Sequence, residues 1–139
     1  MVVSRLLRFV IIADALATAG TGLLMVTLGG ALEPLLGIPA SLMHYAGLGL
    51  LPYAAVVGYL GSRTRVPRWA ILAVVVGNVL WTVDSVLLLL TGWVEPTKLG
   101  YAFVIGQAVV VGVFAELQYV GLRQSTPAPW DGQTRTAAA

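Results

Sequence analysis

Four long apolar runs, near residues 6–28, 41–61, 69–91 and 99–121, dominate the hydrophobic pattern of the chain. A helix rising ~1.5 Å per residue needs about 20 residues to cross the hydrocarbon core of a bilayer, and each run is long enough. In lipid, backbone groups must pair within a helix or a closed barrel. The runs show no period-two alternation, so they predict helices. Only "GGALEPLLGIPA", "SRTRVPR" and "GWVEPTK" connect them, which makes successive spans antiparallel neighbours. The final stretch, 124–139, is rich in Pro, Thr and Ala. It has little to bury and predicts a disordered tail. The expected fold is all-α: a membrane-embedded four-helix bundle over residues 1–123.

Composition sharpens this picture. Of the 139 residues, 58% are hydrophobic and 10% charged, against roughly a quarter charged in soluble domains. Mean hydropathy is +0.90. Arg5 and Arg8 precede span 1, Arg63, Arg65 and Arg68 separate spans 2 and 3, and Arg123 and Arg135 follow span 4, whereas Lys98 lies at the opposite ends with Glu33 and Glu95. The bias of basic residues toward the cytoplasm predicts cytoplasmic termini and a multi-pass protein of the cytoplasmic (inner) membrane, with lipids as its immediate partners. No basic stripe interleaved with aromatics supports nucleic-acid binding. There is no cysteine and one histidine, His44. Thiolate catalysis, iron–sulfur ligation, thiolate zinc sites and bis-histidine haem within one chain are thereby excluded, and neither cofactor nor metal is expected.

The first run resembles a signal peptide, with basic residues, an apolar core and small residues at Ala17 and Ala19. Asp14 interrupts that core, and hydrophobicity resumes with "GLLMVTL". Cleavage after Ala19 would strand a segment too short to span, so an uncleaved helix is expected. "GALEP" (30–34) resembles "GWVEP" (92–96), and "YLGSR" (59–63) resembles "YVGLR" (119–123). These matches suggest two tandem helical hairpins, a parallel repeat about the membrane normal. Their Gly, Pro and Arg residues are also ordinary at helix ends.

Polar residues inside the spans carry the candidate chemistry. An aspartate at mid-span costs about 2.5–3.5 kcal/mol, so Asp14 should face the bundle, be protonated or find a partner. At 1.5 Å per residue, Asp14 lies about 9 Å inward from Arg8 and Glu116 about 10 Å inward from Arg123, one common layer. Asp84 and Gln107 define a second layer, with Asn78 between the two. Two readings compete for Asp14 and Glu116: a pair sharing a proton or holding a cation, or neutral buried acids bonded to Thr18, backbone or water. Asn78, Trp81, Asp84 and Gln107 are either ligand contacts or interhelical hydrogen-bonding groups. Helical phase puts Asn78 and Ser85 on one face of span 3 and Gln107 and Gln118 on one face of span 4. Glu116 points to the opposite side, so the two layers should not line one continuous channel. Pro52 predicts a kink in span 2 that frees the Leu48 carbonyl. His44 is expected at the outer interface. Ala13, Ala17 and Gly20, with Ala15, Ala19 and Gly22 on the adjoining stripe, suit close helix contact.

The run "GNVLWTVDSVLLLLTGWVEPTKLGYAFVIGQAVVVGVFAELQYVGLR" (77–123) resembles small uncharacterised bacterial four-span integral membrane proteins, which implies a fold but no activity. A weaker similarity, to the small multidrug-resistance transporters, implies that Asp14 is the matching span-1 acid. That family's acid is a glutamate, its characteristic neighbours are absent here, and its later spans lack this chain's extra acids. The resulting expectation is a non-enzymatic, homo-oligomeric membrane protein that binds or moves a small amphiphilic or cationic molecule, with proton coupling through these acids. The alternative is an accessory or scaffold protein whose polar residues only specify packing. No nucleophile–base constellation points to an enzyme.

Overall fold

The computed structural model describes residues 1–125, which form four helices: α1 (Arg5–Leu36), α2 (Ala40–Ser62), α3 (Arg68–Leu90) and α4 (Lys98–Gln124). All four are long and apolar enough to cross a membrane. The first two residues of the expected tail are ordered: Gln124 closes α4, and Ser125 donates its hydroxyl to the Gly121 carbonyl oxygen. The rest of that expected tail, 126–139, lies outside the described residues.

Helix α1 departs most from expectation. It continues eight residues past 28, through Gly29, Gly30 and Pro34. Pro34 sits in the last turn, where its missing N–H removes the helical donor to the Gly30 carbonyl oxygen, and Gly37 ends the helix in the left-handed conformation (φ 69°). The Gly37 N–H reaches the Glu33 carbonyl oxygen at 2.8 Å. Residues that resembled a loop thus form the end of a helix and its C-cap. The two hairpins are therefore unequal: "GALEP" lies within α1, whereas "GWVEP" lies in the connection between α3 and α4. Helix α2 runs through Pro52 without interruption.

Helix α1 packs closely along α2 on one side and α4 on the other, and α3 packs on α4. The helices follow one another as an arc, α2–α1–α4–α3. Small residues set the closest approach. A Cβ at Gly47 would lie 2.8 Å from the Gly22 carbonyl oxygen and 2.8 Å from a Val26 methyl, so the α1–α2 crossing requires glycine there. The α1 contact stripe is Ala15, Gly22 and Gly29, whereas Ala17 and Gly20 are exposed. The opposed ends of the arc, α2 and α3, are joined by Tyr53, whose hydroxyl faces the Val74 carbonyl oxygen (3.1 Å) and Asn78 Oδ1 (3.0 Å).

Two apolar clusters hold the ends of the bundle. Leu7, Ile11, Val57, Ile71 and Leu122 form one, at the arginine-rich end. Met25, Leu36, Met43, Leu50 and Val104 form the other. Each end also has a hydroxyl residue that caps a helix and ties it to a neighbour. Ser4 accepts from the Leu7 N–H (3.2 Å) and donates to the Gly121 carbonyl oxygen (3.1 Å). Thr97 accepts from the Gly100 N–H (3.1 Å) and donates to the Leu35 carbonyl oxygen (2.6 Å). Such caps satisfy orphan backbone donors and are worth roughly 0.5–2 kcal/mol each.

Candidate functional site: a buried polar network beneath a central cavity

Polar side chains converge between the two apolar clusters. Asp14 and Gln118 are fully buried, and Asn78 nearly so. Asp14 Oδ2 accepts from Gln118 Nε2 (2.6 Å) and Asn78 Nδ2 (2.7 Å), and its Oδ1 accepts from the Thr18 hydroxyl (3.1 Å). Asn78 Nδ2 also donates to Gln118 Oε1 (3.0 Å), closing a triangle across α1, α3 and α4. Asp14 accepts three bonds and donates none. An acceptor-only group turns the nitrogens of both amides toward itself, leaving Asn78 Oδ1 to accept from Tyr53. Helix α2 enters the network through that phenol. One connected set of bonds therefore spans all four helices.

The expected pairing of Asp14 with Glu116 is corrected here. Glu116 has the right depth but is exposed. Residues two apart on a helix differ by about 200° in direction, so Gln118, on the opposite side of α4, takes the inward place. Asn78 joins the Asp14 level instead of lying between levels. Phase alone carried the signal, since it already grouped Gln118 with the inward-facing Gln107. Gln118, Tyr53 and Ser85 are bonded members that were not among the expected site residues.

A second group lies one to two turns along α3. Trp81 Nε1 donates to Gln107 Oε1 (2.7 Å), and Gln107 Nε2 donates to Ser85 Oγ (3.0 Å) and to the Val104 carbonyl oxygen (2.9 Å). Asp84 does not join it; it is exposed and borders a smaller cavity. His44 is exposed and edge-on to Tyr45, with ring centroids 6.0 Å apart.

A cavity of about 510 Å³ is lined by Thr18, Tyr53 and Asn78 of the first polar group and by Trp81 and Gln107 of the second. The expectation that the two levels would not share a passage came from Glu116. With Gln118 in its place, both levels border the same space. Its remaining lining is largely apolar or aromatic, including Val111 and Phe114 of α4. Exposed residues mark two edges: Ala17 with Gly106 and Val110, beside α1 and α4, and Tyr45 with Gly49, on α2. A smaller cavity of about 220 Å³ shares Trp81 and Gln107 with the first, so their bonded pair stands between the two. Asp14 lines neither cavity; it sits behind Thr18 and Asn78. Among the described residues, no three His, Cys, Asp or Glu side chains converge on a point that would hold a metal.

The chain matches no protein-family model, no curated protein and no solved structure.

Proposed function

We propose that this chain is a non-enzymatic, four-span protein of the cytoplasmic membrane, with both termini cytoplasmic, that binds a small amphiphilic molecule in its central cavity. The observation that carries this reading is the cavity itself: about 510 Å³, mostly apolar, with a few fixed polar groups. Ligand sites typically occupy about 300–1,000 Å³ with that kind of lining. Edges exposed along the helix flanks suit a ligand that enters from the lipid. The Asp14 network serves as the rigid floor of this site and sets the positions of Thr18 and Asn78. Proton coupling through Asp14 would act through that floor, since the carboxylate does not face the cavity.

Mass spectrometry of the detergent-purified protein tests the reading. A small molecule released in near-stoichiometric amount from the wild type, and lost from Gly49→Phe, supports it. Gly49 borders the cavity, and a Cβ there meets nothing within 4 Å, so the substitution fills space without a backbone clash. No retained molecule, and no saturable binding of added amphiphiles, rejects it. Those results favour the second reading, an accessory or scaffold protein, which draws support from the fully partnered state of Asp14. Exposed Glu116, about 10 Å inward from Arg123 along α4, supports a homo-oligomer in which a neighbouring copy covers that face. Native mass spectrometry of Glu116→Leu beside the wild type checks this.

A further inference from the structure

We infer that the central cavity selects molecules whose polar head donates hydrogen bonds, and discriminates against heads that only accept them. This rests on the cavity being a ligand site, as proposed above, and adds the chemical class of its ligand. The observation is the direction of every hydrogen bond around the wall. Thr18 spends its proton on Asp14 (3.1 Å) and Thr21 on the Ala17 carbonyl oxygen (2.8 Å). The Tyr53 proton is held between Val74 O and Asn78 Oδ1. Asn78 uses both amide protons, on Asp14 and Gln118. Gln107 uses both of its own, on Ser85 and Val104, and the Trp81 indole N–H is given to Gln107.

The amide orientations are not interchangeable. Asp14 accepts only, which fixes the Asn78 nitrogen toward it, and the Trp81 indole donates only, which fixes the Gln107 oxygen toward it. Reversing either amide sets donor against donor or acceptor against acceptor. The capacity left over is almost entirely lone pairs. Thr18 Oγ1, Thr21 Oγ1 and Tyr53 Oη each donate without accepting from any described residue, and Asn78 Oδ1 and Gln107 Oε1 each hold one further lone pair. The lining hydroxyl with no described partner is Tyr45, exposed at the rim. An ammonium, amine or alcohol head finds acceptors waiting. A ketone, ester or ether meets oxygen with oxygen, and must lose its own hydration without replacement. A quaternary ammonium has charge but no N–H, so it gains none of these bonds.

The test is a ligand series on one skeleton: 2-aminotetralin, 2-tetralol, 2-tetralone and trimethyl(tetralin-2-yl)ammonium. Binding is measured by isothermal titration calorimetry to the protein in lipid nanodiscs, with empty nanodiscs subtracting partition into lipid. Amine and alcohol are expected to bind saturably, and ketone and quaternary salt about tenfold more weakly or worse, the scale of one or two lost hydrogen bonds. Ketone binding within threefold of the alcohol overturns the donor rule while leaving the cavity a ligand site. So does binding of amine and quaternary salt together without the alcohol, which assigns recognition to charge alone. If no member binds above empty nanodiscs, the proposed function and this inference fall together.

Discussion

Substituting Gln118 and Glu116, two residues apart on α4, separates the observed network from any account based on depth alone. Gln118→Met keeps length and volume but removes two bonds: the donation to Asp14 at 2.6 Å and the acceptance from Asn78 at 3.0 Å. In a soluble core, a hydrogen bond to a charged group is worth about 1.5–3 kcal/mol and a neutral one about 0.5–1.5. Interhelical bonds measured in membranes are weaker, averaging about 0.6 kcal/mol with a maximum near 1.7. The expected cost for Gln118→Met therefore lies between about 1 and 3 kcal/mol, with the upper half reached if the Asn78 nitrogen is left without its second acceptor. Glu116→Gln, on an exposed face, is expected to stay within about 0.5 kcal/mol. Reversible unfolding by SDS titration in bicelles, followed by far-UV circular dichroism, reads both. A double-mutant cycle of Gln118→Met with Asn78→Leu should show coupling of at least about 0.5 kcal/mol, because the residues share a bond. The reasoning is refuted if Glu116→Gln destabilises more than Gln118→Met, or if the cycle is additive.

Three further outcomes follow from the same geometry. Asp14→Asn should cost only about 1 kcal/mol, because an amide oxygen can replace Oδ2 while its nitrogen donates to Thr18; Asp14→Leu strands the donors of Asn78 and Gln118 and should cost at least about twice as much in the same titration. Equal costs would contradict the observed bond directions. Tyr53→Phe removes the hydrogen bonds joining α2 to α3, so spin labels at exposed Val56 and Val76 should show a broader distance distribution by pulsed electron resonance; an unchanged distribution would mean that other contacts hold the arc closed. Gly47→Val forces its added carbon to 2.8 Å from the Gly22 carbonyl oxygen and should cost about 1–3 kcal/mol as overpacking. Gly20→Ala, where nothing lies within 4 Å, should be neutral or slightly stabilising in the same assay.

The sequence by itself determined that four helices form, and nearly where. Apolar runs of spanning length leave the backbone no other way to satisfy its polar groups in lipid, and three of the four spans lie within three residues of their expected bounds. It also singled out Asp14, Glu116, Asn78, Trp81, Asp84 and Gln107 alike, since a polar residue in an apolar run must find a partner, but it did not separate the four that are bonded inside the bundle from Glu116 and Asp84, which are exposed. Local signals misled at the end of α1. There Gly-Gly and Glu-Pro read as a turn, yet a helix end uses the same residues once Gly37 supplies its cap.

Only the tertiary structure decided which polar residues meet. Depth along a helix follows from counting, but direction around it matters equally, and an error of two residues reverses it. Glu116 and Gln118 share a level, and the side of α4 that faces α1 admits only Gln118. Tyr53 gave no sequence signal, because an aromatic residue in a membrane span is ordinary. Its role arises from the arc α2–α1–α4–α3, which leaves α2 and α3 to be joined by a side chain. The cavity is the space that this arc leaves open, lined by both polar levels. No pattern in one chain encodes a volume enclosed by four helices, because that volume depends on how closely each pair packs.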